Sequence, residues 1–206
     1  MDKTRREQIE KWKNRDYSWS QHSSFKYDPE QWFRKYILGI ESPKTAELEF
    51  GSTIGKKLET DPTFLPQIKR HSKMEHEFKC KLGNITLVGY ADSFCTITDK
   101  KLEEYKTGVK PWDQKRVDEH GQLTMYALMH YLITKTRPED VEIKLWWMPT
   151  RRVENGDFTV EIKFIEPIEE NIKSFSTKRT MKDILNFGAE IKKVYRQMEL
   201  YAIAHV

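Results

Sequence analysis

Glu104-Tyr105-Lys106-Thr107-Gly108 is the stretch that decides the fold, with Gly89-Tyr90-Ala91-Asp92 before it and Gln122-Leu-Thr-Met-Tyr126 after it. In a strand, side chains two apart share a face, so Glu104 and Lys106 project together while Tyr105 turns to the other side. Asp92 closes or interrupts the preceding strand, and the interval from 92 to 104 suits a hairpin that sets Asp92 beside Glu104. Two carboxylates so placed repel unless a cation lies between them. Hard oxygen donors with water completing the shell suit Mg²⁺ or Mn²⁺ far better than zinc. Lys106 would balance charge there, and would hold or help to deprotonate a metal-bound water. Gln122 and Tyr126, four apart on a helix, share one face and offer donors to a phosphate or a substrate. In outline this is a phosphodiester hydrolysis site: metal, activated water, and donors for the charge that develops on phosphorus.

Outward from these motifs, the pattern predicts strands at His76–Leu82 and Ile85–Ala91, with Gly83-Asn84 as their turn and Phe94–Thr98 as an extension. Asp99-Lys100 turns the chain into a third strand, Leu102–Lys106. Pro111 precedes a predicted long helix, Asp113–Thr134. Val141–Pro149 and Phe158–Ile165 read as strands around the Glu154-Asn-Gly-Asp157 turn, and the tail from Pro167 to Ala202 reads as helical. Upstream, Asp2–Arg15 is a short helix or arm, and a helix capped by serines runs to Ile37. Asp28-Pro29 restarts that helix, because proline suits a first turn and not an interior, and Gly39 ends it. Another helix spans Ala46–Leu58, broken or kinked near Gly51 and Gly55, and Asp61–Pro66 is loop. The expectation is one α/β domain over 1–206, a central mixed sheet flanked by helices. Its parts are N-terminal helices (1–70), a catalytic sheet and helix (71–165) and C-terminal helices (166–206).

Composition narrows the class. A chain of 206 residues buries roughly 70% of its unfolded surface and needs no staples. Two cysteines, Cys80 and Cys95, exclude a disulfide framework and any four-cysteine metal site within one chain. The 12% aromatic content argues against disorder despite 33% charged residues. A net charge of +4 permits a nucleic-acid partner without demanding one. Met1–Asn14 has no apolar core of a signal peptide, and the largely apolar stretch Tyr126–Ile133 is far short of the roughly 20 residues a membrane span needs. With two thiols, this points to a cytoplasmic, reducing setting and no membrane partner.

Gly89-Tyr-Ala-Asp92, Glu104-Tyr-Lys-Thr-Gly108 and Gln122-x-x-x-Tyr126 together resemble the PD-(D/E)XK nuclease superfamily in its RecB-type branch. Ser18-Trp-Ser20, Tyr27-Asp-Pro29, Trp32-Phe33-x-x-Tyr36 and Gly51-Ser-Thr-Ile54 resemble that branch's opening helices, so the likeness covers Tyr17 to Tyr131. It implies a restriction-endonuclease-like core and a Mg²⁺- or Mn²⁺-dependent deoxyribonuclease, foremost an exonuclease on single-stranded DNA ends that leaves 5′-phosphates. Recombination, repair or viral DNA processing is the implied setting, beside a separate recombinase or helicase. By the same resemblance Asp92 and Glu104 are metal ligands with the backbone carbonyl of Tyr105 as a third. Lys106 is then the catalytic lysine, and Gln122 and Tyr126 form the helix motif beside the DNA. Two departures stand out. Where the family often carries a metal-binding histidine this chain has Gly55, followed by Lys56, so that ligand is missing or Glu59 or another residue replaces it. Asp28 occupies the place of a cysteine before proline, and no C-terminal cysteine trio follows, so no iron–sulfur cluster is expected. Two alternatives stay open: a structure- or sequence-selective endonuclease of the same fold, and a non-catalytic DNA-binding module.

Other features read more plainly. Gly51–Lys57 lacks the glycine spacing and the Ser or Thr of a phosphate-binding loop. The six histidines show no zinc-ligand spacing, and His71 and His76 read as ordinary polar residues. Trp146-Trp147 places at least one indole inward. Among the scattered basic pairs, Lys110, Lys115 and Arg116 lie between the strand lysine and the helix motif, where a phosphate backbone would pass. Trp112 and Trp19 are candidate stacking platforms for unpaired bases.

Overall fold

Short polar caps divide the N-terminal third into helices. The computed structural model describes residues 3–95, 100–156 and 159–205, the first four by backbone alone. Helix α1 (Lys3–Lys13) is followed by α2 (Trp19–Tyr27), whose first turn is capped by the Ser18 hydroxyl. Asp28 ends α2 and caps α3 (Pro29–Tyr36), its carboxylate accepting the Gln31 N–H at 3.0 Å. Helix α4 (Ala46–Thr60) starts at Thr45 and runs unbroken through Gly51 and Gly55, where the sequence predicts a break. Its apolar anchors Ile54 and Leu58, both buried, hold it to the sheet and offset the roughly 1 kcal/mol that each interior glycine costs.

The meander follows: β1 (Lys73–Leu82), β2 (Ile85–Phe94) and β3 (Lys101–Gly108). Gly83, with φ +66°, makes the first turn in a conformation that side chains resist. The expected extension through Thr98 and the turn at Asp99 lie outside the described residues. The predicted long helix is two: α5 (Gln114–Asp118), capped by Asp113, and α6 (Gly121–Thr134), divided at Glu119-His120. After a 3₁₀ turn at Pro138–Asp140 come β4 (Glu142–Glu154) and β5 (Val160–Phe164), the intervening turn lying partly outside the described residues. The tail is not all helix. Helix α7 (Ile168–Asn171) is one turn, β6 (Lys173–Thr177) is a strand, and only then does α8 (Met181–Ala204) begin, under a Thr180/Asp183 capping box.

Among the described residues, six strands form one mixed sheet in the order β1-β2-β3-β4-β5, with β6 on β4, and of these β3 and β4 are the parallel pair. That parallel pair requires a crossover, and α5 and α6 supply it. Alternate β4 residues feed two cores: Ile143, Leu145 and Trp147 on one face, Trp146 and Met148 on the other. Helix α6 is buried from Leu123 to His130 between the first face and α8, so it is apolar nearly all round. Helix α4, through Ile54 and Leu58, covers the second face together with Leu65 and Ile68 of the segment that follows it. The β3 side chains inherit this division: Leu102, Glu104 and Lys106 face α6, while Glu103 and Tyr105 face the α4 side. Among the described residues, no helix is long and apolar enough to cross a membrane.

Candidate active site

Among the described residues, strands β2 and β3 pair at Ser93↔Glu103 and Phe94↔Leu102; the next partners in that register, Asp92 and Glu104, stand where the ladder stops. There the Asp92 carboxylate takes over the role of a strand carbonyl, its Oδ2 accepting the Tyr105 N–H at 2.5 Å. The strands fork beyond this point, and α6 fills the fork. The Tyr126 hydroxyl donates to the Tyr90 carbonyl at 2.5 Å, and Gln122 Nε2 donates to that hydroxyl at 2.7 Å. Gly89 makes the approach possible, because a Cβ there would sit 3.1 Å from Tyr126 Cε1. The Lys106 ammonium donates to Glu104 Oε1 and, at 3.0 Å, to Gln122 Oε1. Of the residues picked out in sequence, Glu104, Lys106, Gln122 and Tyr126 are thus joined in one hydrogen-bonded knot, with Asp92, held by the Tyr105 N–H, beside it within reach of the Glu104 and Lys106 charges.

Its electrostatics are tense. Glu104 is only 2% exposed, and its second oxygen, Oε2, has no hydrogen-bond partner among the described residues. Tyr126 lies close to it but has a single proton, already given to Tyr90. Burial, and then the Glu104 charge, hold the Asp92 carboxyl well above the usual range; Lys106 and the Tyr105 N–H oppose this and lose. Burial pulls the Lys106 ammonium down, but Glu104 and Asp92 outweigh it and leave it above an ordinary lysine. Lys106 therefore stands as a cationic donor. Two carboxylates with one oxygen buried and unanswered form a set of hard donors that fits Mg²⁺ or Mn²⁺. Among the described residues no three His, Cys, Asp or Glu side chains converge as a ready-made cage. Mg²⁺ does not ask for one, since it keeps several waters and takes one or two carboxylates.

The knot opens into a cleft of about 560 Å³ between α4 and the sheet, lined by Gly51, Gly55, Lys56 and Glu59 on one wall and Glu75, Asp92 and Lys106 on the other. Gly55 leaves open space, with nothing within 4 Å of where its Cβ would be. Glu59 is engaged, 2.9 Å from Lys56. Glu75 escaped the sequence reading; its alternating strand neighbours gave no signal that its backbone turns to φ +47°. Also missed was the back of β3. There Glu103, 4% exposed, meets His71 Nε2 at 3.0 Å and accepts the Trp146 indole N–H at 2.7 Å. Burial pushes the Glu103 carboxyl up to about 7 even so. His71, a polar residue as expected, is largely buried through its side chain and braces the strand that carries Glu104 and Lys106.

The expected stacking platforms are not presented as such. Trp112 is buried, with the Arg116 guanidinium 3.8 Å over its ring. Trp19 stacks on His22 and wedges against Gly121, where a Cβ would meet the indole at 2.4 Å. Both indoles serve the core because the α5–α6 break folds His120 back against them. Lys110 and Lys115 are exposed beyond the end of β3, whereas Arg116 is half-buried and donates to the Lys110 and Pro111 carbonyls.

No protein-family model matches the chain, and no curated protein does. Among solved structures, one from Eubacterium rectale described as "Putative exonuclease" aligns with 100% of this chain and 88% of its own, at a TM-score of 0.53 and 10% identity. The fold is shared over its whole length. A second, described as SSO0001, aligns with 94% of this chain and 84% of its own at 11% identity and a TM-score of 0.47. At 10% identity the first likeness speaks for the architecture, a mixed sheet flanked by helices, and the site must be argued from its own residues.

Proposed function

We propose that the chain is a divalent-metal-dependent DNA nuclease of the PD-(D/E)XK type, acting foremost as an exonuclease on single-stranded ends. The observation that carries this reading is the knot at the β2/β3 fork, where Asp92, Glu104, Lys106 and Gln122 meet at the mouth of an open cleft. Asp92, Glu104 and the Tyr105 carbonyl would hold Mg²⁺ or Mn²⁺. When bound, the cation supplies charge to the phosphoryl oxygens and acidifies water at neutral pH. Lys106, turning part of its ammonium away from Gln122 Oε1, and the second amide proton of Gln122 Nε2 donate to non-bridging phosphate oxygens, where negative charge grows in the transition state. Tyr126 fixes Gln122 and, through Tyr90, keeps the two strands apart. The bare α4 wall at Gly55 gives a sugar–phosphate backbone room to pass close to the helix. Exposed Lys110 and Lys115 meet the phosphates that follow. The E. rectale protein's description as an exonuclease agrees with this reading.

The test uses linear and closed circular single-stranded DNA with Mn²⁺ or Mg²⁺, with and without excess EDTA. Degradation of the linear strand alone, abolished by EDTA, is expected. Cutting of the circle would replace the exonuclease with an endonuclease, and turnover persisting in EDTA would refute the metal mechanism.

A further inference from the structure

Four carboxylates line the cleft, and three have partners. Glu47 accepts from Arg152 at 2.6 Å, Glu59 pairs with Lys56, and Asp92 accepts from the Tyr105 backbone. Glu75 alone accepts no hydrogen bond among the described residues, and it is exposed to the water of the cleft. Its place is specific. The β1/β2 ladder pairs Met74 with Ser93 and His76 with Ala91, so Glu75 faces Asp92 at a position the ladder skips. Its φ of +47° is a conformation that non-glycine residues rarely hold, and strain of this kind clusters at functional sites. The orphaned oxygen of Glu104, on a side chain almost wholly buried and close enough for its charge to act on Glu75, is a second acceptor without a donor.

We propose that Glu75 is a further oxygen donor of the cation site, gripping the hydration shell of the ion from the strand opposite Asp92. The inference rests on the metal-dependent reading above and deepens it. Direct coordination by three side chains is not what the geometry offers. An outer carboxylate acting through water is what a magnesium-like ion, reluctant to dehydrate, accepts. Glu75 then does on the strand side what the open space at Gly55 leaves undone on the helix side.

Calorimetric titration with MnCl₂ alone tests this on wild type, Glu75→Gln, Glu75→Gly and Asp92→Asn, each also melted without metal. Wild type should bind Mn²⁺ and Asp92→Asn should not. Both Glu75 variants should bind about ten- to a hundred-fold more weakly, the usual loss when an outer-shell partner of a metal is removed. Glu75→Gly should melt at or above the wild-type temperature, since glycine takes a positive φ without strain. Wild-type affinity in Glu75→Gln, or a lower melting point with unchanged affinity in Glu75→Gly, would overturn the proposal and leave the nuclease reading standing. Absence of Mn²⁺ binding by wild type would overturn both.

Discussion

Removing one oxygen from Tyr126 should loosen the fork. In Tyr126→Phe the ring keeps its place beneath Gly89, so packing is preserved and only hydrogen bonding changes. Two bonds disappear, from the phenol to the Tyr90 carbonyl and from Gln122 to the phenol. Gln122 is half-buried and can turn to water or bond further to Lys106, so its loss is small. The Tyr90 carbonyl faces the ring of a nearly fully buried side chain and is left unanswered, at a cost of about 1–3 kcal/mol. With about 2 kcal/mol as the working figure, a chain of this length should melt about 4–8 °C lower. Urea unfolding of both proteins, with the slope unchanged, measures the difference directly. A loss below about 0.5 kcal/mol, the range of ordinary surface substitutions, would refute the claim that this phenol latches the strands apart.

Further outcomes follow from the same geometry. Asp92→Asn removes a carboxyl that burial and Glu104 make reluctant to ionise, keeps an oxygen for the Tyr105 N–H, and offers an amide to the orphaned Glu104 oxygen. It should therefore raise stability by about 1 kcal/mol, read from chemical denaturation, while abolishing activity. His120, whose pKa is lowered to about 4 by burial and then by Lys106, Arg116 and Arg179, binds its proton more readily unfolded than folded. Stability should thus fall as pH drops from about 6.5 towards 4, by at most about 3 kcal/mol from this group, and His120→Gln should flatten that slope in melts across the window. Gly121→Ala would drive a methyl into the Trp19 indole, so a loss of about 1–3 kcal/mol is expected.

Much of this molecule was legible from local pattern. The three-stranded meander, the restart at Asp28-Pro29 and the grouping of Asp92, Glu104, Lys106, Gln122 and Tyr126 follow from period-two and period-four spacing, which act over a few residues. What escaped depends on partners distant in sequence. Lys173–Thr177 holds a single large apolar residue, Phe175, and becomes a strand because β4 presents it an open backbone edge. Trp19 and Trp112 looked available for bases until the break at Glu119-His120 turned His120 against both. Glu75 and Glu103 carried no signal in the sequence; a positive φ turns one beside the cleft, and His71 with Trp146 buries the other. The continuity of α4 through two glycines is likewise tertiary, set by Ile54 and Leu58 against the second core.

The most direct measurement uses single-stranded DNA labelled at one end or the other, incubated with Mn²⁺, with wild type beside Lys106→Met. Methionine keeps the aliphatic stem of a side chain that is 29% exposed and removes only the ammonium facing Glu104 and Gln122. Progressive shortening by wild type, which should fall by at least a hundred-fold in a variant that still folds, is the predicted result. Equal shortening by both proteins would contradict the assignment of this knot as the place where the phosphodiester is cut.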